Sequence, residues 1–314
     1  MNAPQDIDRS TFLGGSDIAA VYGFSPYKTA VELWLEKTGR RSKPKPSKYQ
    51  QRIFDRGHRL EPIIVEMTLD KLRDLGRDVE LIATNRRYQD EVYPFLACEI
   101  DFELMLDGEH INGDAKSVSG FARQGWGDEE FTDQIPLHYH AQFMHGLGIT
   151  GRRRCLVSAL MGLDDVALYW VDRDDELIES MRARAVEFWN DCVIGGKTPD
   201  FMKFDDVKAI YPVDNGKSCE ATEEIVAKVG RLAAINQQIS AWNAEKEGLQ
   251  LDIAEFISPY SILKYQGKPI LTWKAQEMRR LDEKALAEAH PDIAAKFKTL
   301  QTIRVMRLKK ERQS

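Results

Sequence analysis

Two rhythms of apolar residues divide the chain. Near its start they recur at helical spacing: residues 18–22, then 29–38 with Val31, Leu33, Trp34 and Leu35, then about 49–75 with Ile53, Leu60, Ile64, Met67 and Leu72. Gly14-Gly15-Ser16-Asp17 opens the first helix as a flexible turn, a Ser cap and an acid in the first turn. The prolines and charges of 42–47 suit neither helix nor strand and predict a loop. From 79 onward the runs shorten and become β-prone, at 79–85, 95–102, 102–106 and 110–116, with Asp107-Gly108 as a hairpin turn. A helix at 137–147, strands at 154–160 and 166–171 and a helix at 174–192 follow. Helix, antiparallel strands, helix, then strands predicts a mixed α/β core around a central sheet.

A second unit begins near Thr222. Ile225, Val229, Leu232, Ile235, Ile239 and Trp242 repeat every three to four residues, predicting a long amphipathic helix to about Ile257 that Ser258-Pro259 ends. A hairpin at 264–273 around Gln266-Gly267-Lys268, a helix at 282–298 and a final strand at 302–308 make a small α+β module. The expected division is a core over 1–204, a linker over 205–221 and a C-terminal module over 222–314.

Composition narrows the class. The chain has 314 residues, 43% hydrophobic and 30% charged, an ordinary globular balance. No apolar run approaches the ~20 residues that span a bilayer. The polar, acidic start is unlike a signal peptide. Cys98, Cys155, Cys192 and Cys219 lie far apart, which predicts free thiols in a reducing cytoplasm and argues against a zinc ribbon or iron–sulfur cluster. The net charge of −6 is unpromising for a nucleic-acid partner, but its distribution is uneven: residues 262–314 hold 13 Lys/Arg against 6 Asp/Glu.

The chemistry concentrates at Asp101 and, thirteen positions later, Gly113-Asp114-Ala115-Lys116. Asp101 sits in an apolar stretch, where a carboxylate is costly unless it binds metal or is well hydrogen-bonded. Two carboxylates on adjacent strands can share a divalent cation, with the Ala115 carbonyl as a further ligand. Lys116, two residues from Asp114, points to the same face of a strand and can orient a water or meet a phosphate. Glu61, in the helical pattern upstream, can add a third carboxylate. Gly195-Gly196-Lys197-Thr198 imitates the end of a P-loop but follows a helix and lacks the first glycine. His138, His140 and His145 lack partnering cysteines, and no nucleophile elbow supports a serine hydrolase.

Several segments over about residues 9–200 resemble the YqaJ-type viral recombinase family, the lambda-exonuclease-like branch of the PD-(D/E)XK nucleases. They are Gly14-Gly15-Ser16-Asp17-Ile18-Ala19-Ala20, Ser25-Pro26-Tyr27-Lys28-Thr29, Glu32-Leu33-Trp34-Leu35-Glu36-Lys37-Thr38-Gly39, Gly57-His58-Arg59-Leu60-Glu61-Pro62 and Pro136-Leu137-His138-Tyr139-His140-Ala141-Gln142, in the family's order and spacing. The resemblance implies a restriction-endonuclease-like core whose central mixed sheet is flanked by helices. It implies a Mg²⁺ centre (Mn²⁺ substituting) of Glu61, Asp101, Asp114 and Lys116, with Tyr139 and Gln142 looking onto the site and Arg9 and Ser16 holding a DNA 5′ phosphate. The expected activity is a 5′→3′ exonuclease on linear double-stranded DNA in phage-type recombination. A homo-oligomer, with a ring as one form, and a single-strand annealing partner in the cytoplasm of a bacterial or phage-infected cell belong to the same expectation. Two departures stand out: Asp114 where the family usually has Glu, and Glu99-Ile100-Asp101 where it usually has Ser-Pro-Asp. An endonuclease with the same centre and a DNA-binding scaffold without hydrolysis are the alternatives.

Overall fold

The computed structural model describes residues 8–41, 45–119, 123–162, 165–300 and 302–309. Two compact units emerge, Met1–Ile210 and Tyr211–Ser314.

The first unit opens with a 3₁₀ turn, Arg9–Thr11, then helix α1 (Gly15–Val21). The predicted Ser16 cap is corrected: Gly14 is the N-cap, and Asp17, one turn on, accepts its N–H at 3.2 Å. Helix α2 (Ala30–Lys37) is capped by Thr29, whose hydroxyl accepts from Glu32 N while Glu32 accepts from Thr29 N. Of the loop expected at 42–47, residues 42–44 lie outside the described residues. Ser47 and Gln50 form a second capping box that starts α3 (Lys48–Asp74). Pro62 lies inside α3, so that turn lacks one backbone donor.

Five strands form one sheet in the order β1 (Val79–Gln89), β2 (Ala97–Leu106), β3 (Glu109–Val118), β4 (Arg154–Met161) and β5 (Val166–Asp172). All neighbours are antiparallel except β3 and β4, which run parallel. A parallel pair needs a crossover; the segment between them carries helix α4 (Leu137–Thr150), which Gly151 ends at φ 71°. The strands expected at 95–102 and 102–106 are one continuous β2, since nothing at Phe102 breaks the chain. Asp107 and Gly108, both at positive φ, make the β2–β3 turn.

Helices cover both faces. Ile64, Val65, Leu69 and Leu72 of α3 pack with Phe102, Leu104, Ile111, Leu156 and Leu168. On the other face α1, α2 and α4 bury Ile18, Leu33, Trp34, Met144 and Leu147 with Val157, Ala159 and Tyr169. Helix α5 (Asp175–Glu187) joins this layer. The helix expected over 174–192 changes hand-over: Phe188–Ile194 is a π-turn, which buries Phe188, Trp189 and Cys192 together and lets Trp34 Nε1 donate to Cys192 O at 2.7 Å. The linker expected from 205 begins later. Helix α6 (Phe204–Ile210) belongs to the first unit, where buried Asp206 accepts from the Thr29 hydroxyl at 2.5 Å.

The second unit comprises α7 (Glu223–Ile257), the hairpin β6 (Ile262–Tyr265) and β7 (Lys268–Thr272), and short helices α8 (Glu283–Ala289) and α9 (Pro291–Lys296). Pro291 divides what was expected to be one helix. The final strand is not formed: the described residues 302–309 pair with no strand, and Arg304 instead donates to Tyr211 O at 3.1 Å.

One buried ion cluster fixes the sheet edge. Glu103 is fully buried and accepts from Arg152 Nη2 at 2.8 Å and from the Tyr88 hydroxyl at 2.5 Å, while Arg152 Nη1 donates to Asn112 at 2.6 Å. Burial pushes the Glu103 carboxyl up, but these bonds outweigh it and hold it below the ordinary carboxylate value. A depressed carboxyl stabilises the fold above its unfolded pKa, and that stability is lost as pH falls through the folded value. Glu103→Gln is therefore expected to cost about 3–5 kcal/mol at neutral pH, by stranding Arg152. In urea melts the gap from wild type should narrow as pH falls below 4.5, where the unfolded chain protonates Glu103 first and the folded chain follows at its lower value.

Candidate active site

The antiparallel ladder between β2 and β3 ends at Phe102↔Gly113. Gly113 is required there, because a Cβ would lie 2.0 Å from the Phe102 ring. One step beyond the last rung stand Asp101 and Asp114. Both lie within their strands. Asp101 Oδ2 accepts the Ala115 N–H at 3.0 Å. Asp114 is buried and forms an ion pair with Lys116, so the two side chains share a face as strand alternation predicts. Gln142 of α4 reaches the same carboxylate, Nε2 to Oδ2 at 3.4 Å. Tyr139 and Phe143, one turn apart on α4, lie beneath Lys116, whose Nζ is 5.3 and 5.5 Å from their ring centres.

Electrostatics identify this as a crowded acidic centre. Burial pushes the Asp114 carboxyl up to about 7, the Asp101 charge adds to the push, Lys116 opposes it and Glu61 raises it further. Glu61 is raised by its own burial and then by Asp101. Lys116 is pulled down by burial, but the Asp114 and Asp101 charges outweigh this and hold it protonated, above the ordinary lysine value. Among the described residues no three His, Cys, Asp or Glu side chains close around a metal-sized point. In this arrangement Lys116 supplies the positive charge.

Glu61, Asp101, Asp114, Gln142, Arg9 and Ser16 all line one open cavity of about 1660 Å³. That exceeds the roughly 300–1000 Å³ of a small-ligand pocket and suits a polymer. Lys116 is paired with one of these lining residues, Asp114, and Tyr139 lies against Lys116 in turn. Glu99, the acid two residues before Asp101, also faces the cavity.

Sequence reasoning missed part of the lining. Asn85 and Arg87 of β1 and His58 of α3 line the cavity. Arg87 stacks on Phe12, 4.1 Å from guanidinium to ring centre. Lys37 was also missed. Its ammonium is buried and donates to Arg9 O at 2.6 Å, Phe12 O at 2.5 Å and Asp17 Oδ2 at 2.8 Å, tying the Arg9 turn to α1 and α2. Its place within Glu36-Lys37-Thr38-Gly39 was visible in the sequence, but not its partners. Of the histidines set aside as metal ligands, His145 is buried against Ala97 O at 3.1 Å, and burial lowers its pKa to about 4, so it is neutral.

A family model described as YqaJ-like viral recombinase domain matches residues 7–153. "Uncharacterized protein YqaJ" of Bacillus subtilis (strain 168) is 29% identical over 306 residues, covering 93% of this chain and 89% of the relative. Among solved structures, an alkaline exonuclease (LHK-Exo) from Laribacter hongkongensis is 14% identical, covers 60% of this chain and 90% of its own, and superposes with a TM-score of 0.41. A phage related exonuclease from Haemophilus somnus 129PT is 13% identical, covers 59% of this chain and 96% of its own, with a TM-score of 0.42.

The site depends on close contact between α1 and α4. A Cβ on Gly15 would lie 2.9 Å from Gln142 Cγ and 3.3 Å from its carbonyl oxygen, and the carbonyl is held in the helix. Gly15→Ala is expected to lower stability by about 1–3 kcal/mol in denaturant melts, by forcing the helices apart. A melt within error of wild type would contradict this packing.

Proposed function

From the match of residues 7–153 to the YqaJ-like viral recombinase domain model we propose that the first unit is a member of that family and a metal-dependent deoxyribonuclease. The observation that carries this reading is the Asp114–Lys116 pair beside Asp101 and Glu61, with all three acids lining a polymer-sized cavity. The donors suit a hard divalent cation. They are carboxylate oxygens raised first by burial and then by the neighbouring Asp101 charge, at Asp114 and Glu61 alike, and a cation would relieve that crowding of negative charge. Asp101, Asp114 and Glu61, with the Ala115 carbonyl, would hold Mg²⁺, and Mn²⁺ would substitute. When bound, the metal would acidify a water and neutralise the phosphate.

The chain's own residues do the rest. Lys116, held protonated, donates to the attacking water or to a phosphoryl oxygen as negative charge builds. Gln142 orients the Asp114 carboxylate, and Tyr139 confines the Lys116 ammonium against its ring face. Arg9 and Ser16, which line the same cavity, receive the 5′ phosphate of a duplex end. That placement favours 5′→3′ degradation of linear double-stranded DNA, as part of phage-type recombination beside an annealing protein. No helix among the described residues is long and apolar enough to cross a membrane.

Lys116→Ala and Asp114→Asn are each expected to lower cation-dependent release of nucleotides from linear duplex at least ~100-fold, while gel-shift binding persists. Failure of the wild type to degrade linear DNA with Mg²⁺ or Mn²⁺ would sink the nuclease reading.

Arg9→Ala is expected to lose any preference for 5′-phosphate over 5′-hydroxyl ends. A wild type indifferent to the end group, or able to cut closed circles, would favour an endonuclease instead.

A further inference from the structure

Helix α7 is built to be covered. It runs 35 residues, about 52 Å, and every side chain from Glu223 to Ile253 is exposed. Ile257 is the one buried side chain among the described residues of the second unit. A lone helix of this kind, beside a two-stranded hairpin, has no core of its own.

The helix carries a seven-residue repeat. Ile225, Leu232, Ile239, Lys246 and Ile253 fall at one position of each heptad. Lys228, Ile235, Trp242, Leu249 and Phe256 fall three residues later. A 3.5-residue spacing held over five heptads matches a supercoiled partner helix rather than a flat surface. Its large members are far from buried, Trp242 at 63% exposed and Phe256 at 78%.

Charge selects both partner and direction. Were two copies of α7 parallel, Lys246 would meet Lys246 and Lys228 would meet Lys228 at the seam. The flanking charges Arg231, Glu245 and Asp252 would face Asn236, Gln250 and Ile257 respectively. Run antiparallel, with Ile239 opposite Trp242, the helices place Leu232 opposite Leu249 and Ile225 opposite Phe256. Lys246 then lies against Ile235 and Lys228 against Ile253, where a long stem can carry its ammonium to water. In that register Arg231 faces Asp252 twice by symmetry, Asn236 faces Asn243 and Gln238 faces Glu245. We propose that α7 is an antiparallel coiled-coil interface whose partner is α7 of a second copy of this chain.

The test uses the full chain carrying Cys219→Ser, which removes the exposed thiol. Light scattering is expected to show a particle of at least two chains, whose mass falls with Ile239→Asp while the circular dichroism of the first unit persists. Chains with Ile239→Cys alone or Trp242→Cys alone should stay uncrosslinked on oxidation, whereas a mixture of the two should form an interchain disulfide. Arg231→Glu is expected to weaken association on the order of tenfold, and adding Asp252→Arg should restore it. A particle whose mass ignores Ile239→Asp would overturn the proposal. So would self-crosslinking of Ile239→Cys, which reports a parallel pair, or a crosslink-free mixture, which reports α7 covered by something else.

Discussion

A buried ion pair, Lys116 against Asp114, sets the terms for the first unit. Both groups sit on β3, with antiparallel β2 on one side and parallel β4 on the other. Charges in such a place persist only if each compensates another. Helix α4 closes over the pair with Gln142, Tyr139 and Phe143, so the ammonium is confined among rings and carboxylates rather than hydrated. Burial, and after it the Asp101 and Glu61 charges, outweigh the one lysine, and Asp114 responds by holding its proton towards neutrality. The centre is poised to accept positive charge.

Two further buried pairs frame the same cavity from outside. Lys37 and Asp17 join α2 to α1 and clamp the backbone on either side of the Arg9 turn. Arg152 and Glu103 join the end of α4 to β1, β2 and β3 through Tyr88 and Asn112. Each pair links elements distant in sequence, and each lies next to a cavity wall rather than in the apolar core. A scaffold held this way keeps its walls rigid while the cavity itself stays wet and open. Salt screens such buried contacts little, whereas a polyanion entering the cavity feels the exposed residues at its mouth.

Periodicity made the helices and strands of the first unit legible, because one face of each is buried and the pattern reports it. Asp114 and Lys116 were legible together because strand alternation is strict. The Lys37 clamp, Arg87 on Phe12 and the His58 wall were not, since each depends on contacts between elements far apart in the chain. The π-turn after α5 was hidden because its apolar residues also suit an ordinary helix. The predicted strand at 302–308 failed for the opposite reason: β-prone residues without a neighbouring strand have no ladder to join. The apolar stripe of α7 is legible in its three-to-four-residue spacing, whereas its exposure depends on what packs against it and is not.

The turn at Asp107-Gly108 explains why thirteen positions separate the two aspartates. Asp101 lies six residues before Asp107 and Asp114 six after Gly108, so they meet because a hairpin folds the chain back at its midpoint. The count itself has no chemical meaning. A hairpin longer by one residue on each strand would bring the same acids together at a gap of fifteen. A residue inserted in one strand alone would keep the gap near its present value and turn one acid away from the other. Relatives that keep the chemistry can therefore differ widely in the interval between these residues, and cross-strand symmetry about the turn is the property to compare among them.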